Sequence, residues 1–241
     1  MNIALIGYGK MGKAIEKIAK ERGHKINVVC NSELNVNLAD FSNVDVAIEF
    51  TEPKLAVNHI KFCTEKNIPI VVGTTGWNSD LPAVSELINR HHGKLLYASN
   101  FSIGVNVFFE INKKLAQLMQ PTSGYKLTVE ETHHIQKKDA PSGTGISIAD
   151  DIIENNNNYS AWKVGKENIP NVETQEFPLV AYRKPDVPGT HKITYESEID
   201  KIEIIHEAHN RKGFALGAVI AAEFLAQQKS GVYQMKDVLN F

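Results

Sequence analysis

Three glycines in the order Gly7-Tyr8-Gly9-Lys10-Met11-Gly12 follow directly on the apolar run Ile3–Ile6 and open a helical pattern. Few folds accept that order. Glycine makes the tight turn from strand to helix and lets backbone N–H groups approach a pyrophosphate at the helix N-terminus, where the dipole favours anions. The spacing alone is common, and its setting narrows it to the first unit of a βαβ fold. Gly7, Gly9, Lys10, Met11 and Gly12 are therefore candidate dinucleotide contacts.

The next hundred residues keep that rhythm. Residues 11–22 set Ala14, Ile15, Ile18 and Ala19 on one helical face, with Gly23 as the stop. Strands are expected at 26–30, 44–50, 70–72 and 94–98, and helices at 53–66 and 81–92. Nearly continuous apolar strands alternating with helices specify an α/β, doubly wound, Rossmann-type parallel sheet covered on both faces. Phe50-Thr51 and Gly73-Thr74-Thr75-Gly76 end two of its strands, at the carboxyl edge where such sheets bind ligands. The ribose-reading position after Cys30 offers Asn31 where an acid is expected, while Lys10 stands in the glycine turn. A cation with no opposing carboxylate suits a 2′-phosphate, so NADPH is expected to serve at least as well as NADH.

From about residue 104 the pattern changes. Helices at 105–119 and 144–154 flank a strand at 126–130 that alternates polar and apolar residues. Strands at 177–182, 191–196 and 202–209 then follow without intervening helices. This reads as a smaller α+β domain, residues 104–211, with an open sheet that is mixed or mostly antiparallel. The closing helix at 215–227 is apolar on several faces and is expected to return to the first domain, made of residues 1–103 and 212–241.

The densest chemistry lies between Glu130 and Thr144. His133, His134, Lys137 and Lys138 fall within six positions, a set that can bind carboxylates and supply a proton near neutral pH. Pro141 and Ser142 then start a helix, whose first amides around Gly143 and Thr144 would point towards an anion. Cationic side chains and a helix start in one place imply a substrate with more than one negative charge. No Cys/His spacing supports a closed metal site, so no metal is expected.

Composition narrows the partners. The net charge of −2 comes from mixed acidic and basic residues, which argues against nucleic acid. Cys30 and Cys63 sit in apolar stretches, as free thiols do in a reducing compartment. No apolar run approaches the ~20 residues of a membrane span, and the chain opens on a strand rather than a basic leader, so a cytoplasmic location is expected.

The run Glu131 to Thr144, reading His-His-x-x-Lys-x-Asp-Ala-Pro-Ser-Gly-Thr from His133, resembles the dihydrodipicolinate reductases, also called 4-hydroxy-tetrahydrodipicolinate reductases. The likeness extends to Gly7–Gly12, Gly73–Gly76, Asn100–Asn106, Gly189 with His191, Arg211 and Phe214–Ala218. It implies a homotetrameric enzyme of the diaminopimelate route to lysine, which transfers hydride from NADPH or NADH to a cyclic unsaturated dicarboxylate. On that resemblance His133 is the general acid and Lys137 its partner. His134, Ser142, Gly143 and Thr144 bind substrate, and Gly73, Thr75, Asn100, Phe101 and Ser102 join the glycine turn around the cofactor. The chain departs from the pattern in a glycine turn one residue shorter, in Lys10 for arginine, Asn31 for an acid, Glu49 for aspartate and Pro185 for glycine, and in a shorter stretch from Ser32 to Asn43. Two other readings remain open on the residues alone. One is another two-domain nicotinamide oxidoreductase acting on a small acid, and the other a non-catalytic dinucleotide sensor. The acid cluster disfavours both.

Overall fold

The computed structural model describes residues 1–165 and 175–241. In chain order the elements are β1 (Asn2–Ile6), α1 (Lys10–Glu21), β2 (Lys25–Cys30), β3 (Val46–Glu49), α2 (Pro53–Glu65), β4 (Ile70–Val72), α3 (Leu81–Arg90), β5 (Lys94–Tyr97) and α4 (Ile103–Met119). There follow β6 (Lys126–His133), α5 (Gly143–Asn155), β7 (Ala161–Gly165), β8 (Glu176–Arg183), β9 (Gly189–Glu196), β10 (Lys201–Ala208), α6 (Lys212–Gln227), β11 (Gly231–Tyr233) and α7 (Met235–Leu239). Contacts divide the chain into Met1–Ile103 with Arg211–Phe241, and Gly104–Asn210.

The first unit holds a six-stranded sheet in the order β11-β5-β4-β3-β1-β2, with every pairing parallel. Strand alternation explains why its apolar runs are unbroken. Ala4, Ile6, Ala47, Ile70, Val72 and Leu95 face one way, onto Ala56, Ile60 and Cys63 of α2 and Val84 and Ile88 of α3. Ile3, Leu5, Val46, Ile48, Val71 and Leu96 face the other way, onto Ile15 and Ala19 of α1 and the alanine-rich side of α6. The small residues of α6 permit close approach: a Cβ on Gly217 would stand 1.7 Å from the Phe101 carbonyl oxygen. The last helix thus returns to the dinucleotide-type sheet. β11 and α7 were not foreseen, because three- and five-residue elements carry too little periodicity. Cys30 and Cys63 are free and buried, and burial pushes the Cys30 thiol up to about 11 and Cys63 upward as well. Both stay protonated and inert near neutral pH.

The second unit is a five-stranded sheet in the order β10-β9-β6-β8-β7. β10–β9 and β9–β6 are antiparallel, whereas β6–β8 and β8–β7 are parallel. The sheet is therefore evenly mixed rather than mostly antiparallel. Its reason is α5, which carries the chain back between β6 and β7 so that the next strands run in the same direction as β6. β7 escaped the sequence reading because its central residues are exposed and give no apolar face. Leu127, Val129, Phe177, Leu179, Ile193 and Tyr195 line the inner face under Phe108 and Ala116 of α4 and Ile148, Ala149 and Ile152 of α5. The opposite face carries ion pairs, including Lys192–Glu130 at 2.5 Å and Lys201–Glu203 at 3.1 Å.

Candidate active site

The inner face of the second sheet turns polar at one end. On β6 the buried residues alternate as Leu127, Val129, Glu131 and His133, so period two places the last two on the helix-covered face. Register supplies the rest: Glu131 lies opposite His191 of β9, and His133 opposite Arg183 of β8. Strand pairing thus gathers a carboxylate, two imidazoles and a guanidinium from three strands.

Glu131 is fully buried and accepts from the Ser142 N–H at 2.9 Å and from the Ser142 hydroxyl. Its oxygens lie 3.8 Å from His133 Nδ1, 3.9 Å from His191 Nε2 and 3.6 Å from Arg183 Nη1. Ser142 is the N-cap of α5, its hydroxyl accepting from the Gly145 N–H at 3.1 Å. Gly143, the next residue, has no atom within 4 Å of where a Cβ would stand, so the helix start is open to approach. Thr144 is buried on the same turn. Lys137 pairs with Asp139 at 2.9 Å, and its charge reaches His133. His134 is half-buried, with Nδ1 buried and without a hydrogen-bond partner.

Burial, followed by the charges of Lys137 and Arg183, pulls His133 down to about 4. Burial and the neighbouring His133 and His206 pull His191 down to about 3. Both rings are therefore neutral at neutral pH, beside two half-buried cations, Lys137 paired with Asp139 and Arg183 with Glu131. Ligand atoms of Glu131, His133 and His191 all lie within 4.8 Å of one another, a grouping that could hold a metal ion. The chemistry of its surroundings favours protons instead: the carboxylate already takes two bonds from Ser142, and the Arg183 cation opposes a second positive charge. Only strand register unites this trio, so no local pattern announces that the three residues meet.

In the first unit the glycine turn has the shape its sequence implies. Gly7 has φ +97°, and a Cβ there would stand 2.1 Å from the Phe50 carbonyl oxygen. A Cβ on Gly12 would meet the Gly7 oxygen at 2.3 Å, whereas Gly9 faces open space. Gly9 also caps α1 without any side-chain hydrogen bond, and Lys10 is exposed beside it while Met11 is half-buried. This is a cradle that fits a dinucleotide phosphate: narrow where glycine is needed, open at the helix start. Phe50, Thr51, Gly73 and Thr74 meet at the carboxyl edge, the Thr51 N–H donating to Thr74 Oγ1 at 2.7 Å. A Cβ on Gly73 would strike the Phe50 ring, which lies 5.7 Å from the Phe101 ring. Thr75 is exposed on the same turn. Asn100 Oδ1 accepts from the Ser102 N–H at 2.8 Å, shaping the turn before α4. Asn31 spends its oxygen on its own loop, accepting from the N–H groups of Glu33 at 2.8 Å and Leu34 at 2.9 Å. Glu49, buried at the end of β3, accepts from the Thr51 hydroxyl and lies 3.3 Å from His59.

Family models and relatives match the chain from end to end. The model for the N-terminus of dihydrodipicolinate reductase matches residues 1–101, and that for its C-terminus matches residues 104–239. The chain is 49% identical over 241 residues to a 4-hydroxy-tetrahydrodipicolinate reductase of Christiangramia forsetii, covering 100% of this chain and 98% of the relative. It is 31% identical over 246 residues to one of Alkaliphilus oremlandii, covering 100% and 99%. A solved dihydrodipicolinate reductase from Paenisporosarcina sp. TG-14, with dipicolinate bound, shares the fold at TM-score 0.72 and 22% identity, covering 97% of each chain. The glycine cradle, the mixed second sheet and the full-length likeness converge, and the chain belongs to the dihydrodipicolinate reductase family.

Proposed function

We propose that this protein is an NAD(P)H-dependent 4-hydroxy-tetrahydrodipicolinate reductase, working in the diaminopimelate route to lysine. The observation that carries the reading is the cluster around His133: a buried imidazole, flanked by cations, beside the open start of a helix. A planar dicarboxylate suits such a place. In the balanced reaction the substrate loses its hydroxyl as water, gains hydride at one ring carbon and a proton at the neighbouring one.

The nicotinamide, when bound, supplies the hydride. Gly7, Gly9, Lys10, Met11 and Gly12 would hold the phosphates, with Asn31 near the adenosine ribose. Phe50, Thr51, Gly73, Thr74, Thr75, Asn100, Phe101 and Ser102 would border the ring end. An Asn31 whose oxygen is committed to its own loop leaves an amide donor, which suits a 2′-phosphate and supports NADPH. Residues 1–103 and 212–241 form the dinucleotide domain in this reading, and 104–211 the substrate and oligomerisation domain.

His133 delivers the proton, Lys137 assists it, and His134, Ser142, Gly143 and Thr144 hold the carboxylates. In the resting protein His133 is neutral, because burial, and after it the charges of Lys137 and Arg183, disfavour a proton. Two substrate carboxylates offset those charges, so the proton arrives with the substrate. We also place the protein in the cytoplasm, supported by its two free thiols, and as a homotetramer. The exposed Ile205 on the outer face of β10 and Ile199 in the preceding turn support contact between copies.

Among the described residues no helix is long and apolar enough to cross a membrane. Binding of pyridine-2,6-dicarboxylate, followed by calorimetry between about pH 6 and 8 in buffers of different ionisation enthalpy, tests the substrate site. The sign follows from His133: its pKa rises on binding, so the complex takes up a proton and affinity falls as pH rises. Binding with no buffer dependence, or no binding, would sink this account of the site.

A further inference from the structure

One buried carboxylate accepts hydrogen bonds from Ser142 and lies within 4 Å of His133, His191 and Arg183, and the reaction as described gives it no task. Glu131 Oε1 and Oε2 receive both donors of Ser142, and the same oxygens face His133 Nδ1 at 3.8 Å and His191 Nε2 at 3.9 Å. His133 Nδ1 and both nitrogens of His191 are buried without a hydrogen-bond partner, so the carboxylate is the acceptor they face. On the other side α5 sits directly on it: a Cβ on Gly145 would stand 2.6 Å from Oε2. Arg183, 3.6 Å from Oε1, balances the buried charge while the rings are neutral.

We infer that Glu131 is the positioning residue of the site, a single buried carboxylate that orients the His133 ring through Nδ1 and pins the start of α5 through Ser142. The inference rests on the reading of His133 as proton donor. A carboxylate at Nδ1 selects the Nδ1–H tautomer, leaves Nε2 for proton exchange, and stabilises the imidazolium once it forms. Ser142 opens the helix that meets the substrate's carboxylate. One side chain therefore holds the proton donor and the anion cradle in a fixed relation, which neither β6 nor α5 could do alone.

Three variants separate the two tasks. In Glu131→Gln the amide oxygen can still accept from Ser142, so KM should stay within about threefold, while kcat drops by at least about tenfold. The lost charge lowers the His133 pKa in the complex, so kcat should begin to fall at a lower pH than in the wild type. Ser142→Ala should raise KM and leave the pH profile of kcat in place. Glu131→Ala should do both. The 15N resonances of the His133 ring, read on the free protein, give a measure that needs no turnover. The Nδ1–H tautomer should dominate in the wild type and give way to a mixture in Glu131→Ala.

An unchanged tautomer overturns the inference whatever the kinetics show. So does a Glu131→Gln protein with wild-type kcat and pH profile. A wild type that fails to turn over the substrate, with the tautomer change present, would count against the assigned reaction and leave Glu131 as the group that orients His133.

Discussion

Replacing His133 by alanine should lower kcat by about 10²–10⁴-fold while leaving NADPH binding within a few-fold of the wild type. The reasoning starts at β6, whose alternation puts His133 on the helix-covered face with Glu131 behind it and the cations Lys137 and Arg183 nearby. Alanine removes the donor but none of the glycine cradle, so cofactor affinity is spared. Lys137→Ala should lower kcat and also raise KM, because in the proposed roles the ammonium both assists the proton and faces the carboxylates. Stopped-flow reduction and fluorescence titration with NADPH read the two quantities separately. Near wild-type kcat in both variants would show the roles to be misassigned.

The second large effect is expected at Gly7. With φ at +97° and a would-be Cβ 2.1 Å from the Phe50 oxygen and 2.8 Å from Thr51 Cγ2, Gly7→Ala has no place for its methyl group. Holding alanine in the left-handed conformation costs ~1–2 kcal/mol, and moving the Phe50 turn to make room costs ~1–3 kcal/mol more. For a chain of this size each kcal/mol lowers Tm by about 2–4 °C, so a loss of roughly 4–20 °C is expected. The displaced turn is also the proposed phosphate cradle, and the Kd for NADPH should rise at least about tenfold. Gly9→Ala, whose Cβ meets nothing within 4 Å, is the control: its Tm should be nearly unchanged. Equal behaviour of the two variants would contradict this account of the turn.

These two positions show what was legible in the sequence. Gly7 through Gly12 announces its turn because the constraint is local: strand, glycines and helix follow one another along the chain. The segment from His133 to Thr144 is legible for the same reason, its cations and helix start being contiguous. The partners that complete the cluster are another matter. His191 and Arg183 reach Glu131 only through the register of β9 and β8 on β6, and no local pattern announces which residues a strand will face. Glu131 itself reads as one more acid in a charged segment until its burial is seen. Asn31 stood out as a missing acid, but its commitment to the Glu33–Leu34 loop needed coordinates. The second sheet was expected to be mixed or mostly antiparallel, and which of its pairs run parallel follows from α5, which returns the chain between β6 and β7, and from the pairing of β6 with β8.

In the proposed function the chain reduces 4-hydroxy-tetrahydrodipicolinate with a proton from the His133 cluster. The most direct measurement supplies enzymatically generated 4-hydroxy-tetrahydrodipicolinate to the purified protein and follows oxidation of NADPH and NADH in parallel. Substrate-dependent oxidation of both is expected, with kcat/KM for NADPH at least equal to that for NADH. No substrate-dependent oxidation of either cofactor would contradict the reaction, and a strong preference for NADH would contradict the reading of Lys10 and Asn31.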